Sequence, residues 1–90
     1  MERYLDVSEL EAPEPLERIL TTIESLQQGE FLHVYHRRDP LPLYPLLQDR
    51  GCRWQSGRDN KDMIHVFIWY ADDSAAENQA DEGVARCIRI

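Results

Sequence analysis

Leu10-Glu11-Ala12-Pro13-Glu14-Pro15-Leu16-Glu17-Arg18-Ile19-Leu20 is the stretch that decides how this chain folds. It begins as a loop and becomes a helix at its two prolines. Proline is tolerated in a first helical turn, where its missing N–H has no intrahelical partner. Leu16, Ile19, Leu20, Ile23 and Leu26 then recur at helical spacing and make one apolar stripe. Glu14, Glu17 and Glu24 sit on the other faces, and the first two suit the positive end of the helix dipole.

On the N-terminal side, Tyr4-Leu5-Asp6-Val7 alternates apolar and polar residues and predicts a short strand. On the C-terminal side, Gln27-Gln28-Gly29 ends the helix, with Gly29 expected as its left-handed cap. Phe31 to His36 then reads as a second strand. Strand, helix and strand within about thirty residues make a βαβ unit with parallel strands and a right-handed crossover.

His36-Arg37-Arg38-Asp39-Pro40 is the next loop, and a shorter helix starts near Pro42 with Leu43, Leu46 and Leu47 as its stripe. Gly51 closes that helix. Arg53 to Ser56 is a weak third strand, and Gly57 to Asp62 has the chemistry of a turn. Met63 to Tyr70 is the clearest strand, paired as a hairpin with the third. Residues 1–70 thus form one α/β domain. Ala71 to Gly83 holds five acidic residues and no basic one, and reads as a mobile linker. Val84 to Ile90 alternates weakly and offers an extra edge strand to the sheet.

Ninety residues allow one small domain with a thin core. The chain is 42% apolar and 30% charged, as globular proteins are, and no apolar run approaches a membrane span. Met1-Glu2-Arg3 does not open a signal peptide, so the cytoplasm is the expected location. Seventeen acidic against ten basic residues give a net charge of −7, which argues against a nucleic-acid partner and fits a protein that repels its copies or docks on a basic partner. Cys52 and Cys87 are too few for a disulfide scaffold and lack the spacing of a zinc or redox motif.

The order βαβαββ, with Pro13-Glu14-Pro15 at the first helix, resembles the TusA/SirA-like sulfur carriers from Leu5 to about Trp69. Leu10, Gly29-Glu30, Asp39-Pro40 and Gly51 are the other landmarks. The pattern is closer still to the uncharacterised TusA-like family known as domain of unknown function 2249. Its features are Pro-Glu-Pro-Leu-Glu-Arg-Ile-Leu at 13–20, a His-Arg-rich loop ahead of Pro40-Leu41, and Arg-Gly-x-Arg-Trp at 50–54. The resemblance implies an α+β two-layer sandwich with a mixed four-stranded sheet and both helices on one face.

In the carriers a cysteine directly precedes the first proline of Pro-x-Pro. There the free N–H groups and positive end of the helix would lower a thiol's pKa. Here the position is Ala12, and a methyl group cannot hold a persulfide. Glu11, Glu14 and Glu17 crowd the same end and would raise the pKa of any thiol brought there. Persulfide transfer is therefore not expected from this position, and no catalytic residue is assigned.

Three groups of residues remain. Both helix starts lie along the sheet edge where ligands of open α/β sheets bind. There His36, Arg37, Arg38 and Asp39, with Glu14 opposite, are candidates to hold a small anion or a protein partner. Strand alternation turns Tyr4, Asp6, Phe31, His33, Tyr35, His65, Phe67 and Trp69 away from the helices. So aromatic a face calls for cover by a partner, by a second copy in a homodimer, or by the C-terminal tail. Asp6, His33 and His65 share it, and two histidines with a carboxylate are a known iron ligand set. Their spacing matches no motif, so neither metal nor cofactor is expected. Finally, Cys52 between Arg50 and Arg53 is the alternative, a thiol for sulfur transfer or redox work.

Overall fold

The runs Phe31–His36 and Ile64–Tyr70 are buried along nearly their whole length, and the chain folds so as to cover both of their faces. The structure, a computed structural model, describes residues 1–88. In chain order the elements are β1 (Glu2–Asp6), α1 (Glu14–Glu24), β2 (Phe31–His36), α2 (Leu43–Asp49), β3 (Cys52–Arg58), β4 (Ile64–Tyr70) and α3 (Ser74–Cys87). The sheet runs β1-β2-β4-β3, with β1 parallel to β2 and the other pairs antiparallel. This is the mixed four-stranded sheet of the βαβαββ reading.

Register explains the two faces. Leu5 lies opposite Val34, Val34 opposite Val66, and Ile68 opposite Trp54, so these side chains share one face. Against it pack Ile19 and Ile23 of α1 and Leu43 and Leu47 of α2, all fully buried. The phase of the α1 stripe leaves Leu20 and Leu26 at the margin of this core. Gly29 is left-handed, with φ of 85°, but it does not cap α1, which ends at Glu24 with Ser25 as its cap. Its place is the turn before β2. β3 is also longer than the sequence suggests and runs on through Gly57 and Arg58.

The opposite face carries a third helix where composition suggested a linker and an edge strand. Residues 84–87 are helical, and Arg89 and Ile90 of the expected strand lie outside the described residues. Asp73 starts this helix: its carboxylate accepts the Ala76 N–H at 3.0 Å and the Gly29 N–H at 2.7 Å. Those two backbone donors, Gly29 first, hold the Asp73 carboxyl below the usual carboxylate range. Ala76, Ala80, Gly83 and Val84 form the buried side of α3, and they pack on Phe31, Phe67 and Trp69. Small residues on the helix are what large rings on the sheet require. Each ring taken from water contributes roughly 1.5–3 kcal/mol. The sandwich thus gains a third layer, and no helix among the described residues is long and apolar enough to cross a membrane.

The fit is close at Gly83, where an added Cβ would lie 2.9 Å from Phe67 Cε2. Gly83→Val is expected to lower stability by about 1–3 kcal/mol in urea denaturation, as overpacking does. Ala85→Val, on the exposed side of α3, should change it little. Equal behaviour of the two variants would mean that α3 does not pack as described.

Candidate functional site: a cleft between two helix starts

Between the start of α1 and the loop after β2 lies a cleft of about 360 Å³. Its walls are apolar, with Leu10, Ala12, Pro13 and Leu16 on one side and Pro40 and Leu43 on the other. The prolines shape it, since neither Pro13 nor Pro40 brings an N–H that would have to be satisfied. Ala12 lines the cleft with its exposed methyl.

His36, Arg37, Arg38 and Asp39 all line this cleft, and Glu14 does not. One helical residue turns the chain by about 100°, and that rotation sends Glu14 to the outer side of α1. There Glu14 pairs with Arg18 at 3.5 Å, beside Glu17. The acidic wall of the cleft is instead Glu11, whose carboxylate meets the Arg37 guanidinium at 3.1 Å. The pair is exposed, and such pairs are worth roughly 0–1 kcal/mol. Asp39 accepts the Tyr44 hydroxyl proton at 2.6 Å, and Tyr44 stacks on Trp54. Burial, and then this bond to Asp39, push the Tyr44 hydroxyl up to about 12. Arg38 makes no ion pair among the described residues, which leaves its charge available at the rim.

His36 is buried on the cleft side of the sheet, and its Nδ1 accepts the Arg38 backbone N–H at 3.1 Å. Nε2 therefore carries the proton of the neutral ring. Burial first, and Arg37 and Arg38 next, hold His36 below the ordinary histidine range.

The aromatic face is not open, because α3 covers it. Phe67 is fully buried, Trp69 and His33 are 5% exposed and His65 is 8% exposed; Tyr35 is half-buried. Of the aromatic and histidine side chains on that face, Tyr4 alone is well exposed, at 56%. A homodimer through that whole face would have to displace α3. Asp6 does not join the histidines but accepts the hydroxyl and N–H of Ser8. Two residues missed in the sequence take its place. Glu2 meets His33 Nδ1 at 3.0 Å, Asp59 meets His65 Nε2 at 2.8 Å, and the two rings meet each other at 2.7 Å. The His65 contact first, and then burial's opposing pull and the Met63 and Lys61 N–H groups, leave Asp59 at about 2. The signal for Asp59 was its turn, Asp59-Asn60-Lys61-Asp62, which fixes a carboxylate six residues before His65.

Neither thiol resembles an activated nucleophile. Burial pushes Cys52 up against the weak opposing pull of Arg50, and burial and Glu2 push Cys87 up.

This α+β fold, with a cleft at the paired helix starts, is shared with a solved SirA-like protein. A crystal structure of a SirA-like protein from Desulfitobacterium hafniense superposes with a TM-score of 0.65 at 18% identity, covering 76% of this chain and 95% of that one. The chain belongs to the family described as "Uncharacterized conserved protein (DUF2249)", whose model matches residues 4–70. No curated protein matches the sequence.

For His36 the sign of the pH effect follows from its lowered pKa. The unfolded chain takes up a proton near the ordinary value of about 6.5 and the folded one only below it, so this share of stability is complete above about 6.5 and is lost as pH falls. Urea denaturation should therefore show a smaller loss of stability between about pH 7 and about pH 5 for His36→Gln than for wild type. Parallel pH profiles would put His36 in a water-like environment.

Proposed function

We propose that this protein is a binding module of TusA-like fold, without the carrier thiol, that receives an anionic group in the cleft between α1 and the His36–Asp39 loop. The observation behind the reading is the pairing of an apolar pocket with a free guanidinium, that of Arg38, at the position where the sulfur carriers expose their cysteine. An anion attached to a small apolar group fits that combination: a short carboxylate, a sulfur oxyanion or an acidic side chain of a partner protein. Arg38 supplies charge-assisted hydrogen bonds, and Arg37 can exchange Glu11 for the ligand at little cost. The neutral His36 adds an N–H donor without a charge of its own. Resemblance to sulfur carriers makes sulfur and redox metabolism the first context to test.

The reading based on a Cys52 thiol finds less support, because the thiol is buried and its pKa raised. A persulfide donor should therefore leave the intact mass of the reduced protein unchanged. Titration with a panel of short carboxylates and sulfur oxyanions, followed by amide chemical shifts, should perturb Leu10–Leu16 and His36–Leu43. Arg38→Ala should weaken that binding about 10-fold, the loss of roughly 1.4 kcal/mol. Arg37→Ala and Arg38→Ala should both leave thermal unfolding nearly unchanged, since both side chains are exposed. A sulfur adduct abolished by Cys52→Ala, or binding indifferent to Arg38, would overturn the proposal.

A further inference from the structure

We propose that His33, His65 and Cys87 form a binding site for a tetrahedral divalent transition metal of the zinc class, on the side of the sheet away from the cleft. One nitrogen of each imidazole and the Cys87 Sγ all lie within 4.8 Å of one another. Two imidazoles and a thiolate are a donor set that zinc favours, and three protein ligands leave a fourth position for water or a small ligand.

The outer ends of the two histidines are as informative as the inner ones. Glu2 takes His33 Nδ1 and Asp59 takes His65 Nε2, at 3.0 and 2.8 Å. Ligating histidines typically give their second nitrogen to a carboxylate, which fixes the tautomer and the ring orientation. With both outer N–H groups so engaged, His33 Nε2 and His65 Nδ1 turn their lone pairs toward each other across 2.7 Å. A metal ion placed between the rings would engage both lone pairs. Tetrahedral zinc holds two ring nitrogens about 3.3–3.4 Å apart, so the rings need to part by about 0.6–0.7 Å while the thiol moves in.

Backbone design brings the thiol to the rings. Cys87 is the last residue of α3, and Ile88 follows it over Gly57. Gly57 lies directly opposite His65 in the β3–β4 register, and an added Cβ there would come 2.6 Å from Ile88 Cγ2. The missing side chain is what lets the end of α3 settle beside His65. Tyr4 stands edge-on to His33 and Tyr35 edge-on to His65, each directly opposite in the strand register. His33, His65, Glu2-adjacent β1 and Asp59 fall within or next to residues 4–70, whereas Cys87 comes from a helix beyond that matched span. The three-ligand site is thus a property of this chain with α3, not of the family domain alone.

Cobalt(II) is the probe, because a thiolate–cobalt bond absorbs in the near ultraviolet and tetrahedral cobalt in the visible. The reduced full-length protein should take up one equivalent of Co²⁺ with both signatures, and Zn²⁺ should displace it. Cys87→Ser should abolish the thiolate band, and Asp59→Asn, which removes the carboxylate from the outer nitrogen of His65 while keeping an oxygen for the Lys61 and Met63 N–H groups, should weaken binding about 10- to 100-fold. Circular dichroism of each variant establishes that it is folded, and Cys52→Ser serves as a thiol control that keeps the band. Absence of stoichiometric uptake by the folded wild type would overturn the site. So would a thiolate band that persists in Cys87→Ser and disappears in Cys52→Ser.

Discussion

The structure depends on one constraint: its two central strands are apolar on both faces, so the sheet cannot stop at two layers. A two-layer α+β sandwich can leave its second face wet only if that face is polar. Here Phe31, Phe67 and Trp69 project from it, and they need a cover that comes close without competing for their volume. α3 meets the need with alanine, glycine and valine. Its position then determines much else. It closes over the histidine pair, places Cys87 beside it, and returns the chain through Asp73 to the turn at Gly29.

The two faces of the sheet divide the chemistry between them. On the α1/α2 side, loops at the strand ends build a cleft from prolines and aliphatic side chains, with charges at the rim. The mouth of that cleft carries only a methyl group at Ala12. On the α3 side the buried histidine pair is bracketed by two carboxylates nearer the surface, in the order Glu2, His33, His65, Asp59. Polar groups so placed are costly unless every partner is supplied, and here the four supply one another.

Much of this was legible in the sequence, for particular reasons. β2 and β4 alternate cleanly, so the assignment of His33, Tyr35, His65, Phe67 and Trp69 to one face follows from the pleat alone. The cover of that face by the C-terminal residues was one of three possibilities the composition left open. α3 itself was hidden because its stripe is made of Ala76, Ala80, Gly83 and Val84, residues with little hydrophobic signal, among acidic ones. Their spacing of four, three and one, with Asp73 as a capping residue, was the sign available. Glu14 was misassigned because a run of glutamates at a helix start looks alike until the helical phase is known. Asp59 was marked by its turn, whereas Glu2 as the partner of His33 was beyond reach, since a diagonal neighbour across strands depends on a register that no single sequence displays.

The row of hydrogen bonds from Glu2 through His33 and His65 to Asp59 runs across β1, β2 and β4, and this has a consequence for how the sheet assembles. Valine and isoleucine contacts are nearly interchangeable, so on their own they would tolerate strands slid by two residues with little loss. The row does not tolerate such sliding: each ring must meet one particular neighbour, and a displaced strand would leave imidazoles and carboxylates stranded under a helix. In so small a domain these four side chains act as a vernier, selecting one alignment among several that the oily residues would accept.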